Sequence, residues 1–162
     1  MKNIIITGGE LFNKGAQAMT FIAVNELHRR FPNHQLYLLS EMDMERPAEE
    51  KSCFNFEFMG WYPLKFAKCQ TNTLLRLACL IKNGAELKAA ESIYQNCEAM
   101  VDISGYALSS DWSDSTCNHY LDHLEFAEAF HIPVYLMPQS FGPFNFGPER
   151  EDLDYRIRKL LP

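Results

Sequence analysis

Asn3-Ile4-Ile5-Ile6-Thr7-Gly8-Gly9 decides the fold. A β-branched run with no polar alternation is the pattern of a strand buried on both faces, and the glycine pair closes it. Such strands belong to parallel sheets with helices on either side. Beyond a loop through Lys14-Gly15, the residues Ala16, Met19, Ala23, Leu27 and Phe31 recur at spacings of three and four. That period predicts a helix, which Pro32-Asn33 ends. Leu36-Tyr37-Leu38-Leu39 is a second predicted strand, closed by Ser40. Strand, helix and strand within about 40 residues make a βαβ unit, which implies parallel pairing and a right-handed crossover.

The pattern continues toward the C-terminus. Met42 to Lys51 is a charged stretch, read as a solvated loop or short helix, and Phe54-Asn55-Phe56-Glu57-Phe58 alternates like a strand. Trp61-Tyr62-Pro63 reads as a turn, and Thr73 to Gln95 as helical, with an Asn83-Gly84 cap inside it. Ala99 to Ile103 is a third buried strand. Cys117, Tyr120, Leu121, Leu124 and Ala127 mark a helix that runs out near Phe130-His131. Pro133 to Met137 is a further strand, and Glu149 to Leu161 reads as an amphipathic helix. Alternating strands and helices predict an α/β layered sheet.

The 162 residues suit one compact domain spanning 1–162. Hydrophobic residues are 47% and charged residues 22%, which excludes a disordered tail, a coiled coil or a collagen-like fibre. The net charge of −6 argues against nucleic acid and anionic membranes as partners. No apolar run approaches a membrane span or a secretory signal. Five cysteines, an odd number without a C-x-x-C pair, fit reduced thiols, so a cytoplasmic location is expected.

Ligands of open parallel sheets bind outside the carboxyl ends of the strands, and three of those ends are unusual here. The first strand leads into Gly8-Gly9-Glu10-Leu11-Phe12-Asn13-Lys14-Gly15. Its glycines permit a tight turn and close approach to a ligand, and Lys14 with the following helix N-terminus is a candidate anion site. A turn with no ligand explains the same residues, and neither the P-loop nor the G-x-G-x-x-G pattern is present. The second end, Asp102-Ile103-Ser104-Gly105-Tyr106, offers Asp102 as a general base or hydroxyl anchor; otherwise it caps neighbouring amides. The third, Gln139-Ser140-Phe141-Gly142-Pro143, presents fixed donors for a sugar hydroxyl or phosphate oxygen, or simply ends the strand.

In order and spacing these three ends resemble the polysaccharide pyruvyl transferase family. Asn13-Lys14-Gly15-Ala16-Gln17-Ala18-Met19 matches its N-x-G loop and alanine-rich helix. Asp102-Ile103-Ser104-Gly105-Tyr106-Ala107-Leu108 resembles its D-x-x-x-G strand end, with Ser104-Gly105 where the family carries three glycines. Gln139-Ser140-Phe141-Gly142-Pro143 matches its Q-S-x-G-P loop. The resemblance implies a Rossmann-like lobe similar to the N-terminal lobe of a GT-B-type two-lobed transferase, with a companion C-terminal lobe or a homo-oligomer completing the cleft. It implies transfer of a pyruvyl group from phosphoenolpyruvate, the donor substrate, to a sugar of a polysaccharide precursor. No further cofactor and no metal are expected. Asp102 would be catalytic; Asn13, Lys14, Gly15, Ser104, Gly105, Gln139, Ser140 and Gly142 would bind substrate.

Two other readings stay open: a GT-B-type glycosyltransferase lobe, and a non-catalytic glycan- or partner-binding domain. Leu153, Ile157, Leu160 and Leu161 form a stripe expected to lie exposed unless more protein covers it. Cys117, His119 and His123 have a metal-like spacing but lack further ligands, so partly exposed helix histidines are expected instead. Trp112, flanked by Asp111 and Asp114, reads either as a sugar-stacking loop or as ordinary solvated loop.

Overall fold

A computed structural model describes residues 2–60 and 88–161. The strands are β1 (Lys2–Thr7), β2 (His34–Leu39), β3 (Glu57–Met59), β4 (Cys97–Asp102) and β5 (Val134–Leu136). The main helices are α1 (Lys14–Arg30), α5 (Asp114–Ala129) and α6 (Glu151–Leu160), with short α2 (Glu41–Met44) and α3 (Ala48–Lys51). Residues 88–95 are helical and are numbered α4. The expected Trp61-Tyr62-Pro63 turn, the Asn83-Gly84 cap and the start of the helix from Thr73 lie outside the described residues.

All five strands are parallel, in the order β3-β2-β1-β4-β5. Ile4, Val101 and Val134 stand on neighbouring strands, as the sequence predicts. The Ile4-Ile5-Ile6 run feeds both faces of the sheet. Ile4 and Ile6 join Val24 of α1 with Leu36, Leu38, Val101 and Ile103. Ile5 joins Tyr94 of α4, Met100, and Phe126 and Ala127 of α5. Helices therefore cover both faces, giving a Rossmann-like layered fold. Each fully buried isoleucine contributes about 1.5–3 kcal/mol.

Three expectations are corrected. On α1 the fully buried residues are Thr20 and Val24; Ala23 and Leu27 of the predicted stripe pack against the core beside them, while Met19 and Phe31 are exposed. Thr20 is buried because its hydroxyl bonds the Ala16 carbonyl at 2.8 Å, hiding its polarity within the helix. At the Phe54–Phe58 segment strand pairing is limited to Glu57–Met59, while the three phenylalanines join one core cluster with ring centroids 5.1–5.4 Å apart. The C-terminal stripe is covered within the chain itself. Leu153 and Ile157 are buried against Cys117, Tyr120, Leu121 and Leu124 of α5. Arg156 anchors that contact by reaching Asp122 at 2.8 Å and Glu125 at 3.0 Å.

Among the described residues no helix is long and apolar enough to cross a membrane.

Candidate functional site

Chain order leaves β1 in two directions, to β2 and β3 on one side and to β4 and β5 on the other. The connections diverge at the carboxyl ends of β1 and β4, which opens a crevice there. A cleft of about 710 Å³ occupies that position. Its walls come from the loop after β1 (Gly8, Glu10, Asn13), the start of α2 (Glu41, Met42), the loop after β4 (Ser104, Tyr106) and one side of α5.

Asp102 ties the strand ends together. Its carboxylate is 2% exposed and accepts four hydrogen bonds: Thr7 Oγ1 at 2.8 Å, Ser104 N at 3.2 Å, Ser104 Oγ at 2.9 Å and Gln139 Nε2 at 3.0 Å. A carboxylate buried without such partners would be strongly unfavourable, and these donors come from the ends of β1, β4 and β5. The loop after β5 then runs along the loop after β4. Met137 N reaches Asp102 O, Ser140 N reaches Gly105 O and Gly142 N reaches Leu108 O, each within 2.7–2.9 Å. Sheet-like pairing thus extends past both strands and fixes the Gln139–Pro143 segment, in which the Gly142–Pro143 peptide is cis.

Gly8 serves the same junction. It has a φ of +72°, and a Cβ there would stand 2.1 Å from Ser104 Oγ and 2.6 Å from Ser104 Cα. Its lack of a side chain admits the neighbouring strand end. Gly105 also has a φ of +72°, with Met19 of α1 next to it.

The loop after β1 is pinned from below by a group the sequence hides in its charged stretch. Asp43 is fully buried, and its Oδ2 accepts from Leu11 N at 3.1 Å and Ser40 Oγ at 2.7 Å. Arg46 reaches Asp43 Oδ1 at 2.6 Å and lays its guanidinium over the Phe12 ring at 4.5 Å. The stretch forms two short helices and is mostly exposed, as expected, but its Asp43 is a buried anchor. An aspartate with an arginine three residues on is its only local trace in sequence.

The predicted residues are not equally placed. Asn13 and Gly15 line the cleft, but Asn13 Oδ1 caps α1 by accepting from Gly15 N at 2.8 Å and Ala16 N at 3.3 Å. The anion site proposed at that helix start is thereby filled by the chain's own cap, and exposed Lys14 is not part of the cleft wall. Ser104 lines the cleft; Asp102, Gly105, Gln139, Ser140 and Gly142 are not among its lining residues.

Sequence reasoning found α5 but gave its histidines no part in the site. His119 and His123 both line the cleft, with rings 5.0 Å apart. His123 is buried, contrary to the expected partial exposure, because its side of the helix faces inward beneath the cleft floor. Burial, with His119 nearby, holds its imidazole well below the ordinary value. Desolvation also lowers His119, opposed by the charges of Asp122 and Glu41. Trp112 lines the cleft as well, while Asp114 pairs with Arg150 at 2.6 Å. Among the described residues no group of three or more His, Cys, Asp or Glu side chains is arranged to hold a metal ion.

No family model, no curated protein and no solved structure matches this chain. What defines it is a parallel α/β lobe with a ligand-sized cleft at its topological switch point.

Proposed function

We propose that this lobe belongs to a polysaccharide pyruvyl transferase-like enzyme of GT-B-like build, working in the cytoplasm on the sugar of a polysaccharide precursor. One observation supports the reading above the rest. The second and third motifs that resemble the family are tied together through Asp102, Ser104 and Gln139, and Ser104 lines the same switch-point cleft as Asn13 and Gly15 of the first.

The chemistry sets the demands. The methylene carbon of phosphoenolpyruvate takes a proton, two sugar hydroxyls add to the cation-like central carbon, and its bond to the phosphate oxygen breaks. One hydroxyl proton replaces the one given to carbon and the other leaves with phosphate, so a ketal and phosphate result. The donor's carboxylate and phosphate need cations. No Lys or Arg is among the described residues of the cleft wall, so on this reading the donor is held by groups elsewhere, in a companion lobe or a second copy. Here Asp102 positions the rim through Ser104 and Gln139, and the cleft is the acceptor side.

The test is product identity. Phosphoenolpyruvate and candidate glycans are incubated with the protein, and mass spectrometry reads ketal-linked pyruvate alongside phosphate release. Little or no ketal is expected from this chain alone, and ready turnover by it would contradict a donor held elsewhere. Ketal with phosphate is expected once a companion lobe is supplied. A new glycosidic bond from a nucleotide sugar would contradict the reading. A non-catalytic glycan-binding lobe is the second reading, favoured by the complete hydrogen-bonding of Asp102; glycan binding with neither product even when a companion lobe is supplied would establish it.

A further inference from the structure

The strand-end motifs spend most of their polar atoms on one another. What faces the cleft is one side of α5 and the loop before it. Trp112 of that loop lines it with Thr116, His119, Tyr120 and His123, whose spacings put their side chains on one face of α5. Trp112 is 40% exposed, and its ring stands 5.5 Å from Tyr106 at 53°, forming an aromatic corner. Tyr120 is only 3% exposed, and its hydroxyl completes no hydrogen bond. The Gln139 amide stands beside it without bonding geometry, and burial raises the phenol far above its ordinary value. A buried hydroxyl in that condition is destabilising until an oxygen or water meets it.

Charge selects among ligands. Glu10 and Glu41 are on the cleft wall, and the described wall has no Lys or Arg. Arg46 is engaged by Asp43 and Glu50. Both histidines are held toward the neutral form. A phosphate or carboxylate entering would lose water beside two like charges and meet no cation. A sugar ring has an apolar face for the aromatic corner and hydroxyls that both donate and accept.

We propose that the cleft binds an uncharged pyranose unit, stacked on Trp112 and Tyr106 with its hydroxyls toward Tyr120, His119 and Glu41, and turns away phosphate- and carboxylate-bearing ligands. The inference rests on the glycan-modifying reading and adds to it the recognising residues and the charge selection.

An NMR titration tests it at low ionic strength, following the Trp112 indole N–H, assigned by its loss in Trp112→Phe. The probes are neutral gluco-, galacto- and manno-configured trisaccharides, their uronate and phosphate counterparts, and phosphoenolpyruvate. A neutral trisaccharide is expected to shift that signal, with at least tenfold weaker binding after Trp112→Ala. The anionic counterparts are expected to bind at least tenfold more weakly, a gap that Glu41→Gln narrows. Trp112 is an exposed loop residue, so its replacement leaves the fold intact. Anions binding in the cleft as tightly as neutral sugars would overturn the charge selection and leave the transferase reading standing. Unchanged sugar affinity in Trp112→Ala would overturn the stacking wall. Silence of the cleft toward every sugar would overturn both this inference and the reading beneath it.

Discussion

Replacing Asp102 by alanine asks whether the carboxylate is a structural joint or a group held open for substrate. The substitution strands Thr7 Oγ1, on a residue 1% exposed, together with the Ser104 N–H and the Gln139 amide. Each buried group left unmet costs about 1–3 kcal/mol, and the Ser104 hydroxyl can turn to solvent. The sum is about 4 kcal/mol, a loss of roughly 10 °C in melting temperature for a chain this size. Asp102→Asn should be far milder. Its oxygen can keep the Ser104 N–H and Gln139 amide, and its NH2 can donate to the Thr7 and Ser104 hydroxyls, which accept as well as donate. Losing the charge from those bonds costs about 1–2 kcal/mol. Urea unfolding followed by circular dichroism measures both variants. Asp102→Ala within about 0.5 kcal/mol of the parent, the range of an unconstrained surface change, would refute the reasoning.

Three further outcomes follow from the same contacts. Gly8→Ala brings a Cβ to 2.6 Å from the Ser104 backbone at a φ of +72°, so urea unfolding should show a loss of about 2–4 kcal/mol. Asp43→Ala leaves Arg46 without its buried partner and Leu11 N unmet, which should cost about 3–5 kcal/mol by the same assay and loosen the Phe12 loop. His123 titrates well below 6.5 when folded and near 6.5 when unfolded, so below that pH the unfolded chain binds more protons. Stability should fall as pH drops through 6.5, by up to about 1.4 kcal/mol per pH unit from this group, until the folded imidazole itself titrates. Urea midpoints between pH 7 and 5 should show a shallower slope in His123→Gln; an identical slope would count against the burial.

Local pattern was enough for the sheet. Ile4-Ile5-Ile6 has no solvent face to conceal, and its flanking glycines and helix period left one sensible arrangement of strands and crossovers. The strand ends were legible as places, since Asp102 and Gln139 are polar residues where apolar strands stop. Their mutual bond was not, because a carboxylate 37 residues from an amide carries no local sign of contact. Asp43 was hidden for a related reason. In a run of charges every residue looks solvated, and only Leu11 N and Arg46 arriving from elsewhere make burial tolerable. The wall of α5 was missed because Tyr120 and Leu121 read as core, which they are, while His119 and His123 read as bystanders. One helix here has two jobs, packing α6 on one side and lining the cleft on another, and periodicity reports only the first.

The central claim places ligand recognition at the switch-point cleft, and hydrogen-exchange mass spectrometry with and without a neutral glycan probes it most directly. Slower exchange confined to residues 8–19, 39–42, 104–107 and 112–123 is the predicted result. Protection elsewhere on the sheet, with those four segments unchanged under saturating sugar, would contradict it.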